Sequence, residues 1–152
     1  MKYVLGVDGG GTKTLARLCR ISEGGQLESV GEGRAVGSNP LSVGWDAAQQ
    51  NLHEAITTAT SDTPVDAAVL AVAGCASGDA RDQLQQWADQ QGFAQRLRVV
   101  PDTEPLLADI PSGTAAIGLI AGTGSAAVLR YPDGKSELLG GWGYLIGDGG
   151  SG

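Results

Sequence analysis

The sequence predicts an α/β fold in which one mixed β-sheet carries helices outside it. Two patterns along the chain support this prediction. Near the start, three strand-length segments are separated by glycine-rich turns, which is typical of an antiparallel meander. After them, segments of helical period alternate with short apolar runs, which is typical of strand-helix-strand crossovers. Because hairpins join antiparallel strands and crossovers join parallel ones, the order βββαβαβα gives a sheet of both kinds.

The opening meander is predicted from apolar or alternating residues at 2–8, 14–21 and 26–34. Glycines follow the first segment, and a Glu-Gly-Gly sequence at residues 23–25 supplies the next turn. The meander therefore ends where a Ser-Asn-Pro sequence breaks the alternation.

The crossover region is predicted from apolar spacing and from residues that start or stop helices. Apolar side chains recur with helical period after Ser42, a plausible cap, while Asp79 is typical of a helix start and Gly92 of a helix end. A near-continuous apolar run predicts a strand that is covered on both faces. The predicted elements are a helix over 42–60, a strand over 67–73, a helix over 79–91, a strand over 97–100 and a last helix over 103–109.

The turn after the first strand combines an acidic residue with three glycines. It contains Asp8, Gly10, Gly11, Thr12 and Lys13. Glycines let backbone N–H groups approach an anion closely, while Thr12 adds a hydroxyl and Lys13 a positive charge. The turn lacks the wider glycine spacing and the Lys-Ser/Thr pair of a Walker A loop. It is therefore predicted to join two strands and to cradle phosphate groups.

A second glycine-rich turn contains Gly122, Thr123 and Gly124, and Thr123 follows Thr12 by 111 positions. Both turns lie between an apolar and an alternating segment, which indicates duplicated hairpins. A chance match is the alternative, because the chain has 25 glycines and glycine-rich hairpins are common.

Two domains are predicted. Residues 1–112 hold the complete βββαβαβα pattern, and residues 113–152 begin a second meander with strands at 115–120, 125–131 and 136–139. A meander without its helices is an incomplete sheet unit. We therefore expect the chain to be the front half of a longer protein and to be inactive alone.

Composition and charge narrow the kinds of partner. The net charge is −7, and the 10 Lys and Arg residues form no basic stripe, which argues against nucleic acid and anionic membranes as partners. No apolar run has membrane-spanning length and no signal segment is recognised, so a cytoplasmic location is expected. If the ligand of the phosphate cradle is a nucleotide, the overall negative field repels it, and oriented N–H groups, Lys13 and Mg²⁺ are expected to supply the attraction.

Six motifs occur in order along the chain: Asp8-Gly9-Gly10-Gly11-Thr12, Asn39 after Gly-Ser, Asp102, Gly122-Thr123-Gly124-Ser125, Gly140-Gly141-Trp142-Gly143 and Gly147-Asp148-Gly149-Gly150-Ser151. Together they resemble the BadF/BadG/BcrA/BcrD ATPase family, and within it the N-acetylglucosamine kinases. The resemblance covers the whole chain and is far more specific than one glycine loop. It implies the ribonuclease H-like fold of the actin, sugar kinase and heat-shock ATPase superfamily, in which two duplicated domains close on ATP.

The resemblance also implies roles for individual residues. Thr12 and Thr123 would contact the nucleotide phosphates, and Asp102 would be the catalytic base. The residues expected to line the sugar are Asn39, Asp102, Gly141, Trp142, Gly143 and Asp148. One departure is Gly149, where the family commonly has an acidic residue, which leaves the ordering of that loop open.

Several of these residues have structural alternatives. Asp102 follows a strand, where open α/β sheets bind ligands, and is suited to accept a sugar hydroxyl proton; its alternative is a helix N-cap. Asp8 is expected to hold Mg²⁺ through water, and its alternative is an Asx turn. For Asp148 the alternative is a helix cap, and for Trp142 it is a position in the core.

The expected function is an ATP-dependent kinase that phosphorylates an amino sugar. The first candidate substrate is N-acetylglucosamine, phosphorylated at its 6-hydroxyl. Its partners would be ATP, Mg²⁺ and the hexose, and a homodimer is an open alternative to a monomer. The alternatives are a glucosamine kinase, an ATPase that activates a partner enzyme, as dehydratase activators do, and a silent sugar sensor. Those activators carry a cluster-binding Cys, and none lies near Gly122 or Gly147. Asp8, Asp102 and Lys13 favour a catalyst over a sensor.

Overall fold

The computed structural model describes residues 1–140, and the chain divides into two compact units, Met1–Asp102 and Thr103–Gly152. The first unit contains a five-stranded sheet and three helices. Its strands are β1 (Lys2–Gly9), β2 (Lys13–Ile21), β3 (Leu27–Val36), β4 (Ala67–Val72) and β5 (Arg96–Pro101). Its helices are α1 (Pro40–Val43), α2 (Trp45–Thr60) and α3 (Gly78–Gln91).

The strands of the first unit lie in the order β3-β2-β1-β4-β5. The hairpins make β1, β2 and β3 antiparallel, whereas the crossovers make β1, β4 and β5 parallel. The sheet is therefore mixed, as predicted from the change of period along the chain.

The core of the first unit lies on one face of the sheet, against α2 and α3. Side chains alternate between the faces of a strand, so Leu5, Leu18 and Leu70 of three neighbouring strands share this face and are at most 3% exposed. Val69 points to the opposite face and is 41% exposed. The prediction that β4 is covered on both faces is therefore wrong at Val69.

The helix predicted over 42–60 is divided in two at Gly44. The φ of Gly44 is +84°, a left-handed backbone that glycine adopts without steric cost and that ends α1. The predicted cap at Ser42 is also wrong. Asn39 caps α1, because its Oδ1 accepts a hydrogen bond from the amide of Leu41, and Pro40 follows at the first helical position.

Helix α2 buries one face. Its buried residues recur at the predicted helical spacing and are Ala48, Leu52, Ala55, Ile56 and Ala59. Within residues 1–140, no helix combines the length and apolar character that a bilayer crossing requires.

Helix α3 begins after Ser77, whose Oγ accepts a hydrogen bond from the amide of Ala80. The predicted cap at Asp79 is therefore wrong, and Asp79 lies in the first turn, where a negative charge favours the helix dipole. The helix ends at Gly92 as predicted, in a left-handed conformation with a φ of +67°.

The second unit opens with a single 3₁₀ turn, Glu104–Leu107, followed by the antiparallel meander β6 (Ala116–Ala121), β7 (Ser125–Arg130) and β8 (Ser136–Gly140). The helix predicted over 103–109 is thus wrong in type and length. Pro105 is tolerated in the first turn, but proline disfavours helical backbone in the residue before it, so Pro111 limits how far the segment can continue as a helix. The placement of a domain boundary after residue 112 remains a prediction.

Candidate functional site

Three loops of the first unit leave the sheet at the carboxyl ends of its parallel strands. Gly9 of β1 pairs with Val72 of β4, and Val72 pairs with Pro101 of β5. The glycine loop after Gly9, the turn after Val72 and Asp102 after Pro101 therefore start at one edge. Open α/β sheets bind their ligands at this edge, which makes it the candidate site.

The glycine loop, residues 10–12, closes the hairpin between β1 and β2 as predicted. The amide of Gly10 donates to the carbonyl oxygen of Lys13 at 2.9 Å. Gly11 is half-buried, whereas Thr12 and Lys13 are exposed. The Thr12 hydroxyl and the Lys13 ammonium group therefore lie at the surface, next to the glycine backbone of the loop.

Asp8 lies one residue before the end of β1 and is exposed. An Asx turn would require its carboxylate to accept the amide of Gly10, but that amide donates to Lys13. The Asx-turn alternative is therefore wrong. Within residues 1–140, no cluster of three or more His, Cys, Asp or Glu side chains could hold a metal ion. A single exposed carboxylate fits Mg²⁺, which keeps several waters and takes few protein ligands.

Residues 37–39 lie directly against the glycine loop. The amides of Ser38 and Asn39 both donate to the carbonyl oxygen of Gly10, at 2.9 and 3.2 Å. A Cβ added at Gly37 would lie 2.1 Å from the carbonyl oxygen of Gly11, so a side chain does not fit between the two segments. The loop predicted to bind phosphate and the residue predicted to bind sugar, Asn39, are thus in direct contact.

Two buried hydroxyl groups, which the sequence analysis did not single out, lie beneath this contact. Thr14 is 1% exposed and Ser38 is 0% exposed, and their oxygens are 2.8 Å apart. Thr14 Oγ1 also lies 2.8 Å from the carbonyl oxygen of Val36. The signal in the sequence is that Thr14 occupies a core-facing position of β2, where its neighbours in the alternation, Ala16 and Leu18, are apolar.

Asn39 is held on two sides. Its Oδ1 accepts the amide of Leu41 at 2.9 Å, and a Cβ added at Gly74 would lie 2.3 Å from that oxygen. Gly74 also has a φ of +83°, so glycine is required there for both space and backbone conformation. The cap uses the oxygen of the amide and leaves its Nδ2 hydrogens to meet an acceptor on a ligand.

Asp102 is half-buried at the end of β5. A 3₁₀ turn follows it, with Thr103 at the N-cap position and no cap hydrogen bond from the Thr103 side chain, and the roles of Asp102 as base or as cap both remain predictions. Burial and, next, the negative charge of Asp102 raise the pKa of the Cys75 thiol to about 11, against an opposing effect of Arg81. Cys75 follows β4 and is fully buried, so the carboxylate of Asp102 acts on the turn that adjoins Asn39.

The second unit carries the second predicted phosphate loop, residues 122–124, between β6 and β7. Ala121 pairs with Ser125 across this loop, whereas Gly9 pairs with Thr14 across the first one. Four residues therefore lie between the last paired residues of the first hairpin, and three lie between those of the second. Each loop turns an antiparallel hairpin that opens a three-stranded meander, a setting that duplicated hairpins would share.

The remaining residues predicted to line the sugar are outside the described residues. They are Gly141, Trp142, Gly143 and Asp148, together with Gly149 of the last motif. Their roles remain predictions.

Two curated proteins resemble the chain over its whole length. It is 30% identical over 153 residues to an N-acetylmuramic acid/N-acetylglucosamine kinase of Clostridium acetobutylicum. It is 33% identical over 159 residues to a glucosamine kinase of Vibrio cholerae serotype O1. The matches cover 100% of this chain but 50% and 51% of those proteins, so the chain spans about half the length of the curated relatives it matches.

A solved structure from Chromobacterium violaceum, assigned as an N-acetylglucosamine kinase, resembles the chain with a TM-score of 0.71 and 28% identity. The likeness covers 97% of this chain and 52% of that one. It confirms the predicted α/β class and the actin-like ATPase fold, which other solved structures share at lower identity. The sequence pattern of one family matches residues 5–152, nearly the whole chain. This match and the shared fold confirm the resemblance seen in the motifs, and the chain belongs to the BadF/BadG/BcrA/BcrD ATPase family.

Proposed function

We propose that the chain is part of an ATP-dependent amino-sugar kinase, with one domain at residues 1–112 and the start of a second at residues 113–152. The observation that carries the proposal is the contact between the glycine loop and residues 37–39, at the sheet edge where Asp102 emerges. Anion-binding backbone, an amide donor and a carboxylate at one edge suit a reaction between a phosphate and an alcohol. The two curated relatives, which are named as amino-sugar kinases, support the same substrate class.

In this proposal the two glycine loops bind the phosphates of ATP. Gly11 offers a backbone N–H group, and Gly10 adds backbone without a side chain while its own N–H closes the hairpin on Lys13. Thr12 offers a hydroxyl, and Lys13 offers a positive charge in a chain whose net charge is −7. Residues 122–124 make the corresponding contacts from the second unit. Because these donors are held by hairpins, they need little reorganisation when phosphate binds.

Asp102 is the proposed general base. A sugar hydroxyl is a weak nucleophile, so its proton passes to the Asp102 carboxylate as its oxygen attacks the γ-phosphorus in line. The new bond joins the sugar oxygen to phosphorus, the bond to the bridging β–γ oxygen breaks, and ADP leaves with that electron pair. The half-buried position of Asp102 suits this role, because burial restricts the orientation of its carboxylate and limits the water that competes with the sugar hydroxyl.

Asp8 is the residue proposed to hold Mg²⁺, through water. When bound, the ion would neutralise charge on the β- and γ-phosphate oxygens. Asp8 itself contributes a carboxylate that is fixed in β1 beside the loop, on the exposed face of the sheet.

We propose N-acetylglucosamine as the substrate, phosphorylated at its 6-hydroxyl. Asn39 would donate from Nδ2 to a sugar oxygen, since its Oδ1 is occupied by the helix cap. Gly141, Trp142, Gly143 and Asp148 would complete the pocket. Glucosamine is the second candidate sugar, because one of the curated relatives is named for it.

The test is ADP release by the full-length protein with ATP and Mg²⁺, across a panel of hexoses and amino sugars. The proposal requires release that depends on one amino sugar and yields its phosphate. Sugar-independent hydrolysis would instead indicate an ATPase that acts on a partner. Sugar binding without ADP release would indicate a sensor, and either result overturns the kinase.

A further inference from the structure

We propose that the buried hydroxyl pair of Thr14 and Ser38 is a positioning device that couples the glycine loop to Asn39. Nucleotide binding at the loop would thereby order the segment that meets the second substrate. The identity of that second substrate as a sugar rests on the proposed function, but the coupling itself does not.

The hydrogen bonds of the pair have one consistent direction. Thr14 Oγ1 lies 2.8 Å from both the Val36 carbonyl oxygen and Ser38 Oγ. A hydroxyl carries one hydrogen and a carbonyl oxygen can only accept, so Thr14 donates to Val36 and Ser38 donates to Thr14. The chain of bonds thus runs from residue 38 through β2 to the end of β3.

The pair has no room to rearrange. Both side chains are at most 1% exposed, and a Cβ added at Gly9 would lie 2.5 Å from Ser38 Oγ. Asn51 of α2 fixes the same segment from the other side, because its Nδ2 donates to the Gly37 carbonyl oxygen at 2.7 Å. A buried hydroxyl that loses its partner is costly, so one arrangement is strongly preferred.

The segment that the pair holds in place meets the glycine loop at one atom, the carbonyl oxygen of Gly10. It accepts the amides of both Ser38 and Asn39, while the amide of Gly10 closes the hairpin on Lys13. A phosphate that holds the loop therefore also steadies residues 37–39, as long as the Thr14–Ser38 pair keeps the Ser38 amide on that oxygen. By linkage, a ligand that fixes Asn39 must strengthen nucleotide binding by the same factor.

The experiment measures hydrogen exchange of the full-length protein with Mg²⁺ and a non-hydrolysable ATP analogue, without sugar. In the wild type we expect slower exchange both in residues 10–13 and in residues 37–41. In Ser38→Ala and Thr14→Val we expect protection of residues 10–13 alone. Thr14→Ser keeps the hydroxyl and should restore the wild-type response.

Thr60→Val is the matched control, because it removes a hydroxyl that bonds only to carbonyl oxygens within α2. Thr60→Val should leave the response of residues 37–41 intact. If any loss of stability in the first unit were enough to abolish that response, Thr60→Val would abolish it too. A second measurement compares N-acetylglucosamine affinity with and without the analogue. We expect the analogue to tighten binding by about fivefold or more in the wild type and hardly at all in Ser38→Ala.

The outcomes separate the two proposals. If residues 37–41 respond to the analogue in the wild type but no amino sugar binds, the coupling stands and the kinase proposal fails. If the wild type shows no response in residues 37–41, or if Ser38→Ala and Thr14→Val keep it, the coupling is overturned even if the protein is a kinase.

Discussion

The fully buried thiol of Cys75 lies within the electrostatic influence of the Asp102 carboxylate, although 26 residues separate them in sequence. Burial and, after it, the charge of Asp102 raise the pKa of Cys75 from 9.0 to about 11. The turn after β4 therefore carries a neutral thiol next to the carboxylate that we propose as the base. Because the thiol stays protonated, it adds no second negative charge at the site.

The raised pKa predicts a loss of stability at alkaline pH. The unfolded thiol ionises near 9.0 and the folded one near 11, so the contribution is complete below pH 9 and disappears between pH 9 and 11. Its size is roughly 3 kcal/mol, from 1.36 kcal/mol for each pKa unit. Chemical denaturation over this pH range should show a steeper decline for the wild type than for Cys75→Ala.

Cys19→Ala is the control for this measurement, because it also removes a free thiol but from β2. It should keep the decline that belongs to Cys75. Equal slopes for the wild type and Cys75→Ala would show that the burial and charge around Cys75 do not govern its ionisation.

Gly37→Ala should damage the junction between the glycine loop and Asn39. The added Cβ would lie 2.1 Å from the Gly11 carbonyl oxygen, a backbone atom that cannot move aside as a side chain would. We expect a loss of about 2 kcal/mol in the free energy of unfolding, typical of overpacking, and weaker nucleotide binding. Thermal denaturation and nucleotide titration of the full-length protein measure the two effects.

Gly6→Ala is the matched control, since it makes the same change in β1 where no atom lies within 4 Å of the added Cβ. Alanine is the better residue in a strand, so this variant should be neutral or slightly stabilised. Equal effects of the two substitutions would mean that the close approach at Gly37 is not tight in solution.

The sequence was sufficient for the elements in which one local pattern dominates. The alternation in β2 and the helical period of α2 both follow from side chains that must face one core. The break at Gly44 escaped the sequence analysis, because apolar spacing continues through it while a positive φ stops the helix. The spacing of apolar residues does not predict a positive φ, which glycine adopts without the steric cost that other residues have.

The candidate site divides in the same way. The glycine loop and Asp102 were recognised because glycines after a strand and a carboxylate after a strand are local signals. Thr14 and Ser38 were missed because their contact joins residues 24 apart, and only the pairing of β2 with β3 brings them together. Register between strands is a property of the whole sheet, so no short window of sequence contains it.

Arg130→Lys should destabilise the second unit. The Arg130 guanidinium donates to the carbonyl oxygens of Leu107, Ile110 and Pro111, at 3.3, 2.9 and 3.1 Å. It thereby ties β7 to the end of the 3₁₀ turn and to the residues that follow it. The compact ammonium of lysine cannot reproduce this fork. We expect a loss of about 1 to 2 kcal/mol, with faster hydrogen exchange in residues 104–111.

Arg34→Lys is the comparison, because the Arg34 side chain is exposed and its ion pair with Glu32 lies at the surface. Surface ion pairs contribute little, so its stability should stay close to wild type. Unchanged exchange in residues 104–111 of Arg130→Lys would show that the three carbonyl contacts do not hold that segment.

Asp102→Asn tests the proposed base and its influence on Cys75 in one variant. The substitution keeps the shape of the side chain but removes the proton acceptor, so turnover should fall by about 10²- to 10⁴-fold while sugar binding changes little. Removing the negative charge should also lower the pKa of the Cys75 thiol from about 11. Steady-state kinetics measures the first effect, and the pH dependence of the thiolate ultraviolet absorbance in a Cys19→Ala background measures the second.

Asp109→Asn controls for charge, since Asp109 is an exposed aspartate on the segment after the 3₁₀ turn. It should alter neither readout. A lowered Cys75 pKa with full turnover in Asp102→Asn would place the carboxylate beside the thiol but remove it from the chemistry. Lost turnover with an unchanged Cys75 pKa would contradict the proximity of the two side chains. If the Asp102 charge raises the pKa of the thiol, its removal must lower that pKa.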